Sequence, residues 1–361
     1  MAGEVAHIDQ TRGVISYLID TEAGQSGSGV WYQEGESYFV CGVHVTGNQF
    51  VNTATFLTRA IYQQIHTWIQ QVSLKEHLLR LKSMNLKELR FKEKEINAEC
   101  ISLLIKYNLD DLQTIFLAQM KIGNEEAKAL AKSTSWVNLS ELHLWSNNIG
   151  AEGAKALAKN TAWVNLSELF LSNNKIGTEG AKALAQNVSW TNLSQLNLSE
   201  NNIGAEGAKA LVQSISWISL SKLDLSKNNL GAEGVKALAQ NASWIKLSQL
   251  DLGWNNIGAE GAKGLAKNTS WISLSELDLA GGDLDDEGAR GLAQNTSWIN
   301  LYRLGLFSNR VSAGGVKVLV QSTFWKKLSQ LDLRENKVHE KEAKELEYLK
   351  RNLRVRTSYT L

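Results

Sequence analysis

The sequence predicts an α/β solenoid over most of its length, on three observations. Leu139, Leu166, Leu193, Leu220, Leu247, Leu274, Leu301 and Leu328 each open a segment of the form LSELHLWSNNIGAEGAKALAKNTAW, and each lies 27 residues after the last. Within a segment the apolar spacing passes from a strand-like period to a helix-like one. No single copy can bury its own apolar face, so copies must stack into a common interior. Two degenerate copies precede these, Leu112 with Ile115, Leu117 and Ile122, and Leu86 with Leu89, Phe91 and Ile96. The count comes to about ten units.

Each part of a unit has a role set by its spacing. In the copy opened by Leu139, Leu139, Leu142 and Leu144 point inward, while Glu141, His143 and Trp145 alternate outward along a short strand. Asn147 follows, and Asn recurs there at Asn174, Asn201, Asn228, Asn255, Asn309 and Asn336. An amide in that place can donate to and accept from backbone of neighbouring turns that no sheet ladder serves. Ile149 then plugs the core. Glu152 to Lys159 reads as a helix with Ala154, Leu157 and Ala158 inside and Lys155 and Lys159 in water. The glycine column Gly153, Gly180, Gly207, Gly234, Gly261, Gly288 and Gly315 permits close approach of that helix to its neighbours. Met120 and Gly282 stand where Asn is expected, and the run Ala280-Gly281-Gly282-Asp283 is expected to loosen the turn.

These residues resemble the leucine-rich-repeat family, LxxLxLxxNxIG followed by a helix, in its ribonuclease-inhibitor-like form. The resemblance covers roughly residues 86–338. It implies a curved parallel sheet on a concave face with helices on the convex one. Strands sit about 4.8 Å apart while helices need about 10 Å, so such a stack must bend.

Composition agrees. The 361 residues exceed what one compact core accommodates, whereas a solenoid grows linearly. Net charge of +1 argues against a general polyanion-binding surface, so no nucleic acid is expected. Residues 1–70 hold two basic and six acidic residues, leaving 36 Lys and Arg against 31 Asp and Glu, spread over the helices as a solvated face. Cys41 and Cys100 are too few for a disulfide framework and are expected to be thiols. The start MAGEVAHIDQ has no apolar signal core, and no stretch approaches the length of a membrane span. Sequons at Asn138, Asn165 and Asn192 sit at strand entrances, where a glycan would obstruct stacking. A cytoplasmic location follows as the expectation. Proline is absent, so turns fall to glycine and asparagine.

Before Leu86 the repeat fails. Residues 13–45 read as short strands, GVISYLID, SGVWYQ and YFVCGVHV, with EGES as a turn. The serine of Gly24-Gln25-Ser26-Gly27 can sit on a tight turn beside converging backbone N–H groups, although a Gly/Ser-rich hairpin turn explains the same residues. The longer run YLIDTEAGQSGSGVWYQEGESYFVCGVHVTGNQFVNTATFLTRAIYQQIHTWIQ resembles the C-terminal half of a chymotrypsin-like serine protease, of the glutamyl-endopeptidase branch. That resemblance implies Ser26 as nucleophile, Gly24 and Ser26 N–H groups as oxyanion hole, and Thr21 and His44 in the pocket for a substrate glutamate. Gly29 replaces the family's usual proline. Only 25 residues precede Ser26, so the barrel that carries the family's catalytic His and Asp is missing. A serine without an adjacent base is a poor nucleophile at neutral pH. The chain alone is therefore expected not to be a competent protease.

The division that follows is 1–70 protease-like segment, 71–85 linker and capping helix, 86–338 repeats and 339–361 C-terminal cap. Residues 53–70 are expected to form a helix with Ile61, Ile65, Trp68 and Ile69 on one stripe, and Ser73 to Met84 a second. Glu340 to Asn352 should seal the last unit through Ala343, Leu346 and Leu349, with a final strand in the tail.

Surface candidates lie on the outward strand positions. The tryptophan column Trp136, Trp163, Trp190, Trp217, Trp244, Trp271, Trp298 and Trp325 follows the helix at the repeat period and reads as packing. Trp145 and Phe307 replace Ser, Gly or Ala of other copies, and with Phe116, His143 and Phe170 suggest an exposed aromatic patch toward the N-terminal half. Asp224, Asp251 and Asp278 fall on three adjacent strands, with Asp332 two strands later. Parallel carboxylates about 5 Å apart repel, so a basic partner or cation would relieve them, unless Leu-Asp-Leu is simply the repeat's consensus tolerated by solvent. No metal-ligand spacing, phosphate loop or nucleotide fingerprint appears, and no cofactor is expected. The function expected is a protein-interaction scaffold using the concave face, fused to an incomplete protease. The alternative is an acidic-residue-preferring serine endopeptidase that draws its His and Asp from elsewhere, its repeats recruiting substrate. A carbohydrate or nucleic-acid reader using exposed aromatics is a weaker third.

Overall fold

In the computed structural model the described residues are the strand segments 5–9, 14–17, 29–34, 37–42 and 55–57, followed by 87–91, 101–102, 105, 111–349 and 353–358. Near the N-terminus, β1 (Val5–Asp9) pairs antiparallel with β2 (Val14–Tyr17). β3 (Gly29–Glu34) and β4 (Ser37–Gly42) form a hairpin with Glu34 opposite Ser37. Val14–Tyr17, Gly29–Glu34 and Ser37–Gly42, the described parts of the three apolar runs, are thus strand, as their residue types favour.

A parallel sheet of twelve strands accounts for the rest of the described strands. It runs from β5 (Thr55–Leu57) through β6 (Glu88–Phe91), β7 (Thr114–Phe116), β8 (Glu141–His143), β9 (Glu168–Phe170), β10 (Gln195–Asn197) and β11 (Lys222–Asp224). It continues through β12 (Gln249–Asp251), β13 (Glu276–Asp278), β14 (Arg303–Gly305) and β15 (Gln330–Asp332) to β16 (Arg354–Arg356). β5 corrects the helix expected over 53–70: at least Thr55–Leu57 is extended and pairs with Leu89–Phe91. Its β-branched and aromatic residues favour that state over helix. The expected helix from Ser73 to Met84 lies outside the described residues.

Register is fixed by the repeat. Leu196, Leu223, Leu250 and Leu277 are Cα partners at the centre of their strands and are buried, which turns both flanking residues of each strand outward. Behind the sheet lie the helices, among them Ala151–Ala158, Gly204–Leu211, Gly258–Leu265 and Asp286–Ala293. Ala154 and Leu157 are buried as the stripe requires, and Ala158 is partly covered. The outer faces carry Glu–Lys pairs one turn apart, such as Lys155 to Glu152 at 2.8 Å, exposed and worth little. At Gly261 a methyl group would meet Ile257 Cγ2 at 2.7 Å and the Ala232 backbone at 3.1 Å, so neighbouring helices come too close for a side chain.

Between strand and helix the backbone is held by the inner asparagines. Asn228 Oδ1 accepts from the N–H groups of Asn201 (3.0 Å) and Ile203 (3.2 Å), while its Nδ2 donates to the carbonyls of Leu198 (2.8 Å) and Leu225 (3.1 Å). All of this is buried, where an unmade bond costs most. A second asparagine column, not anticipated from the sequence, works at the far end of the helices. Asn268 Nδ2 donates to Ala239 and Asn241 carbonyls, and its Oδ1 accepts from Ser270 and Trp271 N–H. The tryptophan column is fully buried, with Trp298 and Trp325 stacked at 5.9 Å between ring centroids, so it packs coil on coil. At Gly282 the turn keeps its backbone path but lacks the side-chain bonds between coils that asparagine makes at this place. Gly281 and Asp283 keep the left-handed φ of their counterparts, and the Gly282 carbonyl accepts from Gly258 N–H at 2.8 Å as Asn255 does from Gly231. The backbone carbonyl, rather than the amide, makes that bond.

At the C-terminal end the helix Glu340–Leu349 buries Ala343 and Leu346, and β16 pairs with β15.

Candidate interaction face

The sheet face turned away from the helices presents two rows of side chains, one from each end of the three-residue strands. From β7 to β15 the second row reads Phe116, His143, Phe170, Asn197, Asp224, Asp251, Asp278, Gly305 and Asp332. The first row beside it reads Glu141, Glu168, Gln195, Lys222, Gln249, Glu276 and Arg303 from β8 to β14.

The aromatic end is not the exposed patch expected. Phe116, His143 and Phe170 stack face to face, with centroids 4.0 and 4.5 Å apart, and each is partly buried by its neighbours. In-register parallel strands bring planar rings to near stacking distance, so each covers the next. His143 Nε2 lies 3.4 Å from Glu141 Oε2. Beside them, burial and the neighbouring Glu141 charge raise the Glu168 carboxyl above its ordinary range. Trp145 is partly buried. Phe307 belongs elsewhere, against Trp254, at 6.4 Å and edge-on.

A recess of about 290 Å³ opens over β10 to β14, lined by Asn197, Lys222, Asp224, Gln249, Asp251, Glu276, Asp278 and Arg303, with leucines beneath. Asp224 is satisfied within the chain: Asn197 Nδ2 donates to it at 3.0 Å, and the Ser226 hydroxyl and N–H donate at 2.7 and 2.9 Å. Asp251 and Asp278 are poorer. Among the described residues, each accepts one hydrogen bond, from Gly253 N–H at 2.8 Å and Ala280 N–H at 2.9 Å. Arg303 turns to Glu276 at 3.3 Å, and Glu276 also accepts from Gln249 Nε2 and the Tyr302 hydroxyl. Burial, then the charges of Asp224 and Asp278, push the Asp251 carboxyl up to about 7. Asp278 is raised chiefly by burial. The Asp278 carboxylate lies over Gly305, where a methyl group would sit 2.6 Å from its Oδ2.

Asp332 differs from the other three. Burial lifts its carboxyl, but side-chain and backbone hydrogen bonds from Arg334 outweigh that and hold it below the usual range. Arg334 Nη2 donates to Asp332 Oδ2 at 2.6 Å and Nε to Oδ1 at 2.9 Å, while the guanidinium lies 5.3 Å from the Phe307 ring centroid.

Trp254 was not singled out from the sequence. It takes a left-handed φ of 59°, is 47% exposed, and lies against Gly281 so closely that a methyl there would reach its ring at 2.5 Å. The signal was available as a break in a column, since Ser146, Asn173, Glu200 and Lys227 occupy the equivalent slot. Gly305, in a column of aspartates, was another. Ser26, Gly24, Thr21 and His44 lie outside the described residues.

Among the described residues no group of three His, Cys, Asp or Glu is arranged to hold a metal ion, and no helix is long and apolar enough to cross a membrane. No curated protein matches the chain. Among solved structures, a chain from the crystal structure of the yeast Rad7 and Elc1 complex is similar at 17% identity, with 77% of each chain covered and a TM-score of 0.48. An internalin (inlF) from Listeria monocytogenes is similar at 18% identity, covering 83% of this chain and 90% of its own, with a TM-score of 0.46. The family model described as leucine-rich repeat matches residues 137–158, 164–185, 191–212, 218–239, 245–266 and 272–293. These six successive segments are leucine-rich repeats.

Proposed function

We propose that this chain is a protein-interaction scaffold whose partner docks on the outward face of the sheet, centred on β11 to β14. The observation that carries the reading is the recess of about 290 Å³ in which Asp251 and Asp278 are largely buried and answered only by backbone N–H groups. Buried carboxylates are costly, and among the described residues the one cation whose charge offsets both of them, Arg303, is bonded to Glu276 instead. The stacked Phe116, His143 and Phe170 offer a second, flatter platform on the same face, and Trp145, Phe307 and Asp332 complete the candidate contact set. The face lies on the inside of the bend that strand and helix spacings impose, so a partner there meets several coils at once. The test places a photo-crosslinking residue at Asn197 or Gln249 on the sheet, and at Lys209 on a helix, in the full chain. Capture of a partner from the sheet positions and not from Lys209 is expected; the reverse pattern refutes the reading.

The protease resemblance of the first seventy residues favours a second reading, a serine endopeptidase acting on acidic residues with substrate recruited by the repeats. Its support is the run Asp20-Thr21-Glu22-Ala23-Gly24-Gln25-Ser26-Gly27-Ser28 together with His44. Fluorophosphonate labelling that disappears in Ser26→Ala would establish it. A cytosolic site of action belongs to the same proposal. It rests on the two cysteines and on sequon asparagines whose amides are already engaged, Asn165 with the Val137 carbonyl at 2.8 Å and Asn192 with that of Val164 at 3.0 Å.

A further inference from the structure

The geometry points to an arginine side chain of a partner protein as the occupant of the recess, its guanidinium held by Asp251 and Asp278 beside the Trp254 indole. This rests on the sheet-face reading above and names the chemistry of the partner.

The molecule carries the pattern for this contact. Two strands along from Asp278, Asp332 receives a forked pair of hydrogen bonds from Arg334, whose guanidinium lies over the Phe307 ring. Arg334 stands two residues after its aspartate. The equivalent residues after Asp251 and Asp278 are Gly253 and Ala280, which bring no charge. The arginine two residues after the aspartate is thus present only at Asp332; Trp254 lies on the turn next to the recess-lining strands rather than in the lining itself. Trp254 stands three residues after Asp251 and against Gly281, three residues after Asp278. Its exposed ring also meets the edge of Phe307.

Several features select the cation. The carboxylates are not arranged as metal ligands among the described residues. A planar guanidinium can fork between adjacent carboxylates and stack on an indole, whereas an ammonium does only the first, and as a point charge. Gly305 lets the Asp278 carboxylate lie over the neighbouring strand, in the space a Cβ would take. The cations lining the recess are Lys222 and Arg303, with Arg303 engaged by Glu276, and the remaining carboxylate, Asp224, is satisfied within the chain.

The test uses the full chain and a short fluorescent Gly-Ser peptide carrying three arginines, with lysine and citrulline versions alongside. Fluorescence anisotropy should show the citrulline peptide binding at least about tenfold more weakly, because it loses the charge-assisted bonds. The double variant Asp251→Asn/Asp278→Asn should weaken the arginine peptide by a similar factor, and Trp254→Ala by about threefold, as expected for an exposed cation–π contact. Ala280→Arg provides an independent variant: it supplies from within what Arg334 supplies to Asp332, and should exclude the peptide. Equal binding of arginine and citrulline peptides, or affinity unchanged in both the double variant and Ala280→Arg, overturns the assignment. If partner capture from Asn197 and Gln249 persists while the peptides are not distinguished, the arginine assignment falls and the sheet-face reading stands.

Discussion

Replacing Asp251 by asparagine should stabilise this protein above neutral pH and leave it unchanged in acid. The native carboxyl titrates at about 7, against an ordinary value of 3.8, because it is buried between Asp224 and Asp278. Well below pH 3.8, native and unfolded chains both hold the proton. Between that point and neutrality the native state retains a proton that the unfolded state has released, so stability falls as pH rises. The fall is complete once the native group has ionised, and three pKa units correspond to about 4 kcal/mol. Asparagine carries no charge, yet keeps an oxygen for Gly253 N–H at 2.8 Å. The variant should therefore be more stable by about 2–4 kcal/mol at pH 8 and by close to nothing near pH 3. Urea unfolding followed by tryptophan fluorescence at the two pH values reads this directly. An equal shift of midpoint at both, or a variant less stable at pH 8, would refute the argument.

Other outcomes follow from the same structure. Asn228→Ala strips acceptors from two buried N–H groups and donors from two buried carbonyls, and should cost at least about 3 kcal/mol in urea or thermal unfolding. Gly261→Ala sets helix propensity, a gain of about 1 kcal/mol, against contacts at 2.7 and 3.1 Å. Overpacking of about 1–3 kcal/mol should win, so the midpoint should drop. Binding of the arginine peptide should tighten between pH 6 and pH 8 as Asp251 loses its proton; Asp224, Asp278, Glu276, Lys222 and Arg303 are the charged groups that share its recess, and the Asp251→Asn chain should lack that pH response.

The frame of this molecule was readable because it is written many times over. Leu223 inward and Asp224 outward follow from alternation, Asn228 follows from the turn, and each neighbouring copy repeats the instruction. The candidate site is carried instead by departures from the repeat, and a departure has no second copy to support it. Trp254 projects because its slot requires a left-handed backbone, a property of the turn that shows only as Ser, Asn, Glu and Lys sharing one column. The Asp332–Arg334 fork was legible in Asp-Leu-Arg, since residues two apart on a strand share a face. That Phe116, His143 and Phe170 cover one another required the register between coils, which sequence spacing implies but ring stacking decides. Residues 53–70 misled because Ile61, Ile65 and Trp68 fit a helical stripe, which says nothing of Thr55–Leu57 just before it.

The asparagine bonds have a consequence for how such a chain can change over time. Asn228 ties residues of its own coil to those one coil earlier, and Asn255 does the same one step on. Excising a whole 27-residue block between two such asparagines would present each survivor with an equivalent neighbour, so length can vary. What such an event alters is the distance along the rim between Trp254, the aspartates and the stacked rings. Duplication or loss of one block would therefore re-space the contact groups in whole-coil steps without rebuilding the interior.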